Sequence, residues 1–160
     1  MTDQQTDPDF ELKLKSIDHS WDWFKSHADQ RLTITRFAIL VLGATGAGIG
    51  FLEKDQQYFF CMLLSFFGAI SAYCFLRLDE RTSGLIKIGE AALVEQQRFL
   101  ALRTGFSNLE MNKKADEESD TAKQKHPLLP HSYKQVFNLM FKSIVIIYLI
   151  SALYCFVKLI

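Results

Sequence analysis

The chain is 160 residues long and 49% hydrophobic, with fourteen Phe and eighteen basic residues balanced by eighteen acidic ones. That aliphatic and aromatic content excludes a disordered chain. Three cysteines, an odd number set in apolar blocks (Cys61, Cys74, Cys155), exclude a disulfide scaffold, and balanced charge by itself points to no nucleic-acid or acidic partner. The apolar residues gather into long blocks with the charges between them, so little chain is left for an enzyme with an internal cleft. The pattern is that of a small, all-α membrane protein.

Residues 1–31 predict an N-terminal helix outside the membrane. Asp7-Pro8-Asp9 reads as its start, with Asp7 capping and Pro8 at the first helical position. Phe10, Leu14, Ile17, Trp21, Phe24 and Ala28 then recur at spacings of 4, 3, 4, 3 and 4, a coiled-coil-like seam. Ser16, Asp18 and Ser20 are break points, so one long helix and two consecutive helices both remain open. Trp21 lies about 24 Å along a helix from the span beginning at Phe37. Trp21, Trp23 and Phe24 are therefore assigned to the core of a bundle outside the membrane, ahead of a membrane-interface belt or a partner surface. The N-terminus is acidic and polar, with no cleavable signal peptide.

Residues 32–52 and 58–76 are long enough to span a bilayer. The five-residue turn between them, 53–57, requires an antiparallel hairpin. The run from Gly43 to Gly50 looks like a phosphate loop but lacks its Lys-Ser/Thr ending and a preceding strand. Gly43, Gly46 and Gly50 instead suit close helix packing, within the hairpin, between subunits, or around a pore, with packing favoured over a pore lining.

Residues 77–104 continue as a helix, with Leu78, Leu85, Ile88, Ala92, Phe99 and Leu102 at heptad positions, Leu93 and Leu100 widening the stripe, a hinge at Ser83-Gly84 and a stop at Gly105. Arg77, Arg81, Lys87, Arg98 and Arg103 line this segment. They read first as a solvated face with ion pairs such as Glu95–Arg98. The sharper reading is rings of cations that bind an anionic ligand once copies assemble. Residues 105–132 are predicted as a flexible linker, with no residue more apolar than Ala over 112–125 and a stiff Pro127–Pro130 ending. Residues 133–160 form a third helix, transmembrane or interfacial, with Lys142 and Lys158 near its ends. Lys25, Arg31, Arg36, Arg77, Arg81, Lys87, Lys134 and Lys142 lie on one side of the spans and only Lys54 and Lys158 on the other. The N-terminus and middle segment are thus expected in the cytoplasm of a bacterial inner-membrane, multi-pass protein.

No catalytic constellation is legible. The four histidines make no metal signature, and no Ser or Cys has a His and an acid beside it. The expectation is no enzyme, no metal and no cofactor.

The order of a WDWFKSHADQR helix (residues 21–31), a Gly-rich two-span hairpin and RLDERTSGLIKIGEAAL (residues 77–93) resembles small membrane effectors of bacterial anti-phage systems. These include the two-span, SLATT-like effectors associated with nucleotidyltransferases, and the Hailong-type membrane effector fits best. The resemblance covers residues 20–100, and the third span departs from the two-span members. It implies an oligomeric ion channel held closed by a single-stranded oligodeoxyadenylate made by a partner nucleotidyltransferase. Loss of the ligand opens the channel and depolarises the membrane. Partners implied are further copies of the chain, a tetramer being one such assembly, membrane lipid and the single-stranded DNA oligomer. Two rivals stand beside it: a membrane scaffold that recruits a soluble defence enzyme, and a ligand-independent, holin-like pore former.

Overall fold

The computed structural model describes residues 8–106, 110–125 and 132–160. They form four helices: α1 Pro8–Lys54, α2 Tyr58–Thr104, α3 Met111–Lys125 and α4 Tyr133–Leu159. α1, α2 and α4 are each long and apolar enough to cross a membrane. α1 and α2, 47 residues each, extend about 70 Å. Crossing ~30 Å of hydrocarbon would leave more than half of each outside it.

Ser16, Asp18 and Ser20 do not break α1, which is one helix throughout. Such residues cost a helix interior only a few tenths of a kcal/mol, about 0.5, and Ser20 is buried with its Oγ 3.0 Å from Gln96 Nε2. The expected cap, Asp7, lies outside the described residues. α1 ends in a Schellman motif: Gln56 N–H donates to the Glu53 carbonyl at 3.0 Å and Gln57 N–H to the Leu52 carbonyl at 2.9 Å. Gln56 accordingly sits at φ 59°, a left-handed conformation that costs a non-glycine residue about 1–2 kcal/mol. α2 stops as its sequence suggests, at Gly105, whose φ of 75° lets its N–H reach the Ala101 carbonyl at 2.9 Å.

The chain divides into two compact units. The apolar unit comprises Gln30–Thr82 and Ser132–Ile160. Here α1 and α2 run antiparallel, and α4 lies antiparallel to α2. Ala38, Leu42, Ala69, Ala72, Leu76, Phe141 and Tyr148 form its buried cluster. α2 offers small residues, and the Tyr148 ring of α4 seats on Gly68, where an added Cβ would meet the ring at 2.8 Å. The Tyr148 hydroxyl donates to the Leu42 carbonyl, tying α4 to α1. The outer side of α4 is no more polar than its inner side: Ile146, Ile147, Ile150, Leu153 and Val157 are exposed. A helix apolar all round suits a membrane crossing better than an interfacial position, which needs one polar face.

The polar unit holds the described residues up to Asp29 and those from Ser83 to Lys125. α1 and α2 again pack antiparallel, with Trp23 and Phe24 against Gly89, which a Cβ would bring to 3.1 Å from Trp23 Cδ1. The inner line of α2 runs through Ser83, Ile86, Gly89, Leu93, Gln96 and Leu100. That is one residue on from the seam expected through Leu85, Ile88, Ala92 and Phe99. Ile88 and Leu102 are 62% and 77% exposed. Gly89 takes an inner position because its missing side chain lets Trp23 and Phe24 approach.

The 105–132 stretch, expected as a flexible linker, carries α3. Its Ala, Glu, Lys and Gln are strong helix formers even without a face to bury, and Lys113 lies 3.6 Å from Glu110 at i,i+3 spacing. The proline-bounded ending, 126–131, lies outside the described residues.

These local geometries rank three substitutions. Gly68→Ala drives a methyl into the Tyr148 ring and should destabilise the detergent-solubilised protein by about 1–3 kcal/mol. Gly48→Ala meets only the Leu64 Cδ2 methyl, at 2.9 Å, which can rotate away, and should cost less. Gln56→Gly relieves the left-handed turn and should raise the Tm. Thermal unfolding of the three variants against wild type checks the ranking.

Candidate functional site

The apolar unit contains one buried carboxylate, Asp79, 1% exposed and among its largest fully buried side chains. It sits where the apolar run of α2 meets the sequence RLDER. A carboxylate there requires a partner, since an isolated charge in a low-dielectric interior is far too costly. Arg31 of α1 supplies it through a two-pronged fork: Nε donates to Oδ1 at 2.7 Å and Nη2 to Oδ2 at 3.1 Å. The guanidinium also lies over the Phe137 ring of α4, 4.8 Å from its centroid.

The neighbouring Glu80 extends this layer. Its Oε1 accepts from Asn138 Nδ2 of α4 at 3.1 Å, and its Oε2 accepts from Arg77 Nη1 at 2.6 Å. Three helices therefore meet at one polar layer, Arg31–Asp79 between α1 and α2 and Glu80–Asn138 between α2 and α4. By sequence Arg31 counts only among the orientation-setting cations, and neither Asp79 nor Asn138 stands out. The available signal is an acid three residues past an apolar stretch.

In the polar unit a cleft of about 290 Å³ opens between α1 and α2, lined by Lys13, Ser16, Glu95, Gln96 and Phe99 among others. Lys13 Nζ stands 3.7 Å over the Phe99 ring. Gln96 Nε2 donates to the Ser16 carbonyl at 3.2 Å and to Ser16 Oγ at 2.7 Å, while its Oε1 is buried with no hydrogen-bond partner. The cleft thus combines a cation and an aromatic face. Neither Lys13 nor Gln96 stands out in the sequence, because each is ordinary on a solvated helix, and Ser16 is singled out there only as a break point.

The residues singled out from sequence are distributed as follows. Arg77 and Arg81 are exposed in the apolar unit, Arg77 paired with Glu80. Lys87 and Arg98 are exposed in the polar unit three turns apart, and Arg103 stands over the Phe10 ring at 5.5 Å. Of the expected bundle core, Phe24 is half-buried, and Trp23 donates from Nε1 to the Leu85 carbonyl at 3.3 Å while 41% exposed. Trp21 is 53% exposed and stacks on Phe24, so it lies at the edge of that core, since the inner line of α1 turns through Ser20. A Cβ added at Gly46 would lie 3.6 Å from the Tyr148 hydroxyl, but one at Gly43 or Gly50 would meet nothing within 4 Å. The close approaches are made at Gly48 and Gly68 instead. Gly43 and Gly46 line a groove of about 380 Å³ between α1 and α4, with Ile39, Met140, Ile144 and Ile147.

Removing one member of the buried ion pair tests its role. Asp79→Ala leaves the Arg31 guanidinium without its counter-ion and should cost about 3–5 kcal/mol. Arg31→Met with Asp79→Leu removes both charges and should recover most of that stability. Thermal unfolding of the two variants in one detergent checks the expectation, and a double variant no better than Asp79→Ala contradicts it.

No family model matches the chain, and no solved structure matches it. The chain is similar to CD-NTase-associated protein 19 of Escherichia coli, with 38% identity over 96 residues. That match covers 59% of this chain and 60% of the length of that protein.

Proposed function

We propose that the chain is the membrane effector of a nucleotidyltransferase-linked anti-phage system, a homo-oligomeric ion channel gated through its polar unit by a nucleotide-type ligand. The observation that carries this reading is the similarity to a CD-NTase-associated protein, in a chain with three membrane-length helices. In this reading a partner nucleotidyltransferase supplies a single-stranded oligodeoxyadenylate that keeps the channel shut, and its loss depolarises the inner membrane. The chain itself carries out no reaction. The polar unit and the N-terminus face the cytoplasm, and the 53–57 turn lies outside, as the excess of Lys and Arg favours.

Physical features support each part. One small bundle with a filled core leaves no room for an ion path, so conduction requires several copies. The unfilled faces at Gly43 and Gly50 permit close approach of a second copy's helix. Symmetry would then multiply each exposed cation of α2, Lys87 and Arg98 included, into a ring. In the cleft, Lys13 can pair with a phosphate and Phe99 can stack. α1 and α2 are shared by both units, so a ligand that prefers one arrangement of the polar unit biases those helices. Residues 37–52 and 58–76 contain no acid, so no acidic ring selects cations and conduction is weakly selective.

A second reading, a scaffold that recruits a soluble enzyme, draws on the exposure of Leu14 and Trp21 on α1, at 40% and 53%. It predicts a partner complex abolished by Leu14 and Trp21 substitution, and no conduction.

Ion flux from liposomes containing the purified protein, with and without short oligodeoxyadenylate, separates the readings. The proposed channel gives flux that the oligonucleotide suppresses. Flux indifferent to DNA favours a holin-like pore, and none in either condition favours the scaffold. Lys13→Glu and Arg98→Glu should weaken suppression. Each should flatten the dependence of log affinity on log salt by about 0.7 for every phosphate that the variant no longer neutralises.

A further inference from the structure

Between α2 and α4, away from the Arg31–Asp79 layer, four small side chains face one another in register. Cys61 and Ser65 stand one turn apart on α2, as do Ser151 and Cys155 on α4. Because these helices are antiparallel, Ser65 Oγ lies 3.0 Å from Ser151 Oγ and Cys61 Sγ lies 2.7 Å from Cys155 Sγ. Both thiols are buried, at 0% and 1% exposure, and both are free. Cys61 Sγ also points at the Ile49 carbonyl of α1, 4.0 Å away. Burial as a small hydrophobe accounts for one such cysteine. Two presented to each other by different helices form a pair that can react.

We propose that Cys61 and Cys155 form an intramolecular disulfide that staples α4 to α2 at the turn end of the apolar unit. The pair lies near that turn: Cys61 N–H bonds the Gln57 carbonyl at 3.0 Å, so this thiol is in the first turn of α2. The proposal rests on the orientation read above, which puts the 53–57 turn outside the cytoplasm, where disulfides form and persist. A disulfide-bearing, thioredoxin-type thiol oxidant supplies the electron acceptor. Before α4 packs against α2 and buries both sulfurs, one cysteine thiolate attacks the oxidant's disulfide, forming a mixed disulfide and releasing one oxidant thiolate. The second cysteine thiolate then attacks the sulfur of the first, breaking the mixed disulfide and releasing the other. The two electrons and two protons end on the oxidant as a dithiol, and one Cys61–Cys155 bond remains. The sulfurs need to close by about 0.6–0.7 Å to reach the ~2.05 Å of that bond.

The consequence is an α4 fixed covalently at one end and held at the other without a covalent tie, by Asn138, Phe137 and the buried Phe141. Cys74, exposed on α2, supplies an internal standard.

The test uses the full chain expressed in bacteria with an oxidising periplasm. It is acid-trapped, denatured and labelled with a maleimide polymer that retards each free thiol on a gel. One adduct before reduction and three after it support the bridge, with Cys61→Ser and Cys155→Ser each giving two adducts in both conditions. Three adducts on wild type before reduction overturn it. Folded, reduced protein treated with copper phenanthroline then shows which premise failed. Bridging under that oxidant means that the pairing stands and the orientation is reversed, whereas three free thiols mean that the sulfurs do not meet.

Discussion

The Arg31–Asp79 pair is the contact on which the arrangement of the apolar unit depends. Hydrophobic faces on two long helices tolerate slippage, because Leu, Ile and Phe contacts are interchangeable at many offsets. A carboxylate 1% exposed tolerates none. Sliding α2 by one turn would part Asp79 from the Arg31 fork and break a buried ion pair, which costs about 3–5 kcal/mol. In the observed register, Gly48 meets Leu64 and Cys61 meets Ile49. The same antiparallel offset recurs in the polar unit, where Trp23 and Phe24 meet Gly89 and Ser16 meets Gln96. A buried ion pair contributes little net stability, so its principal effect here is choice of register.

The remaining packing reverses the pattern of a water-soluble bundle. α2 turns Cys61, Ser65, Gly68, Ala69 and Ala72 inward and leaves Phe59, Phe60, Phe66, Phe67, Ile70 and Tyr73 exposed. In water this would place the largest apolar residues on the wrong side. In hydrocarbon no hydrophobic force draws helices together, and close approach through small residues with a few hydroxyl contacts does so instead. Gly68 under Tyr148 and Ser65 beside Ser151 are those contacts.

What can be read from the sequence and what cannot divides along the same line. The three long apolar helices, the tight hairpin and the stop at Gly105 are legible, because they follow from local hydropathy and turn chemistry. The α2 seam is displaced by one residue because counting large apolar residues finds the widest face, while the inner line uses Ser83, Gly89 and Gln96. Asp79 looks like one more charge in RLDER, since burial is a property of the partner helix. Gly43 and Gly50 match a small-residue spacing as well as Gly48 does, and only the position of α2 separates them. α3 escapes a search for large apolar residues because one Met and two Ala are all it has, although its composition favours a helix.

The two ends of α4 differ in what holds them. Towards its C-terminal half it is bound by the Tyr148 hydroxyl, the Ser151–Ser65 contact and the Cys155–Cys61 pair, all short-range and insensitive to salt. Towards its N-terminal half it is bound by the buried Phe141 stacked on Phe75, and also by Asn138 to Glu80 and by Phe137 beneath Arg31. Glu80 shares its carboxylate with Arg77, whose side chain is 64% exposed, so part of this network is open to competing ions. A charged ligand that drew on Arg77 would change what Glu80 offers to Asn138. Of the two ends, only the ionic one can be re-paired while the packed side chains stay in place. In the proposed channel it is the end at which closed and open arrangements can differ.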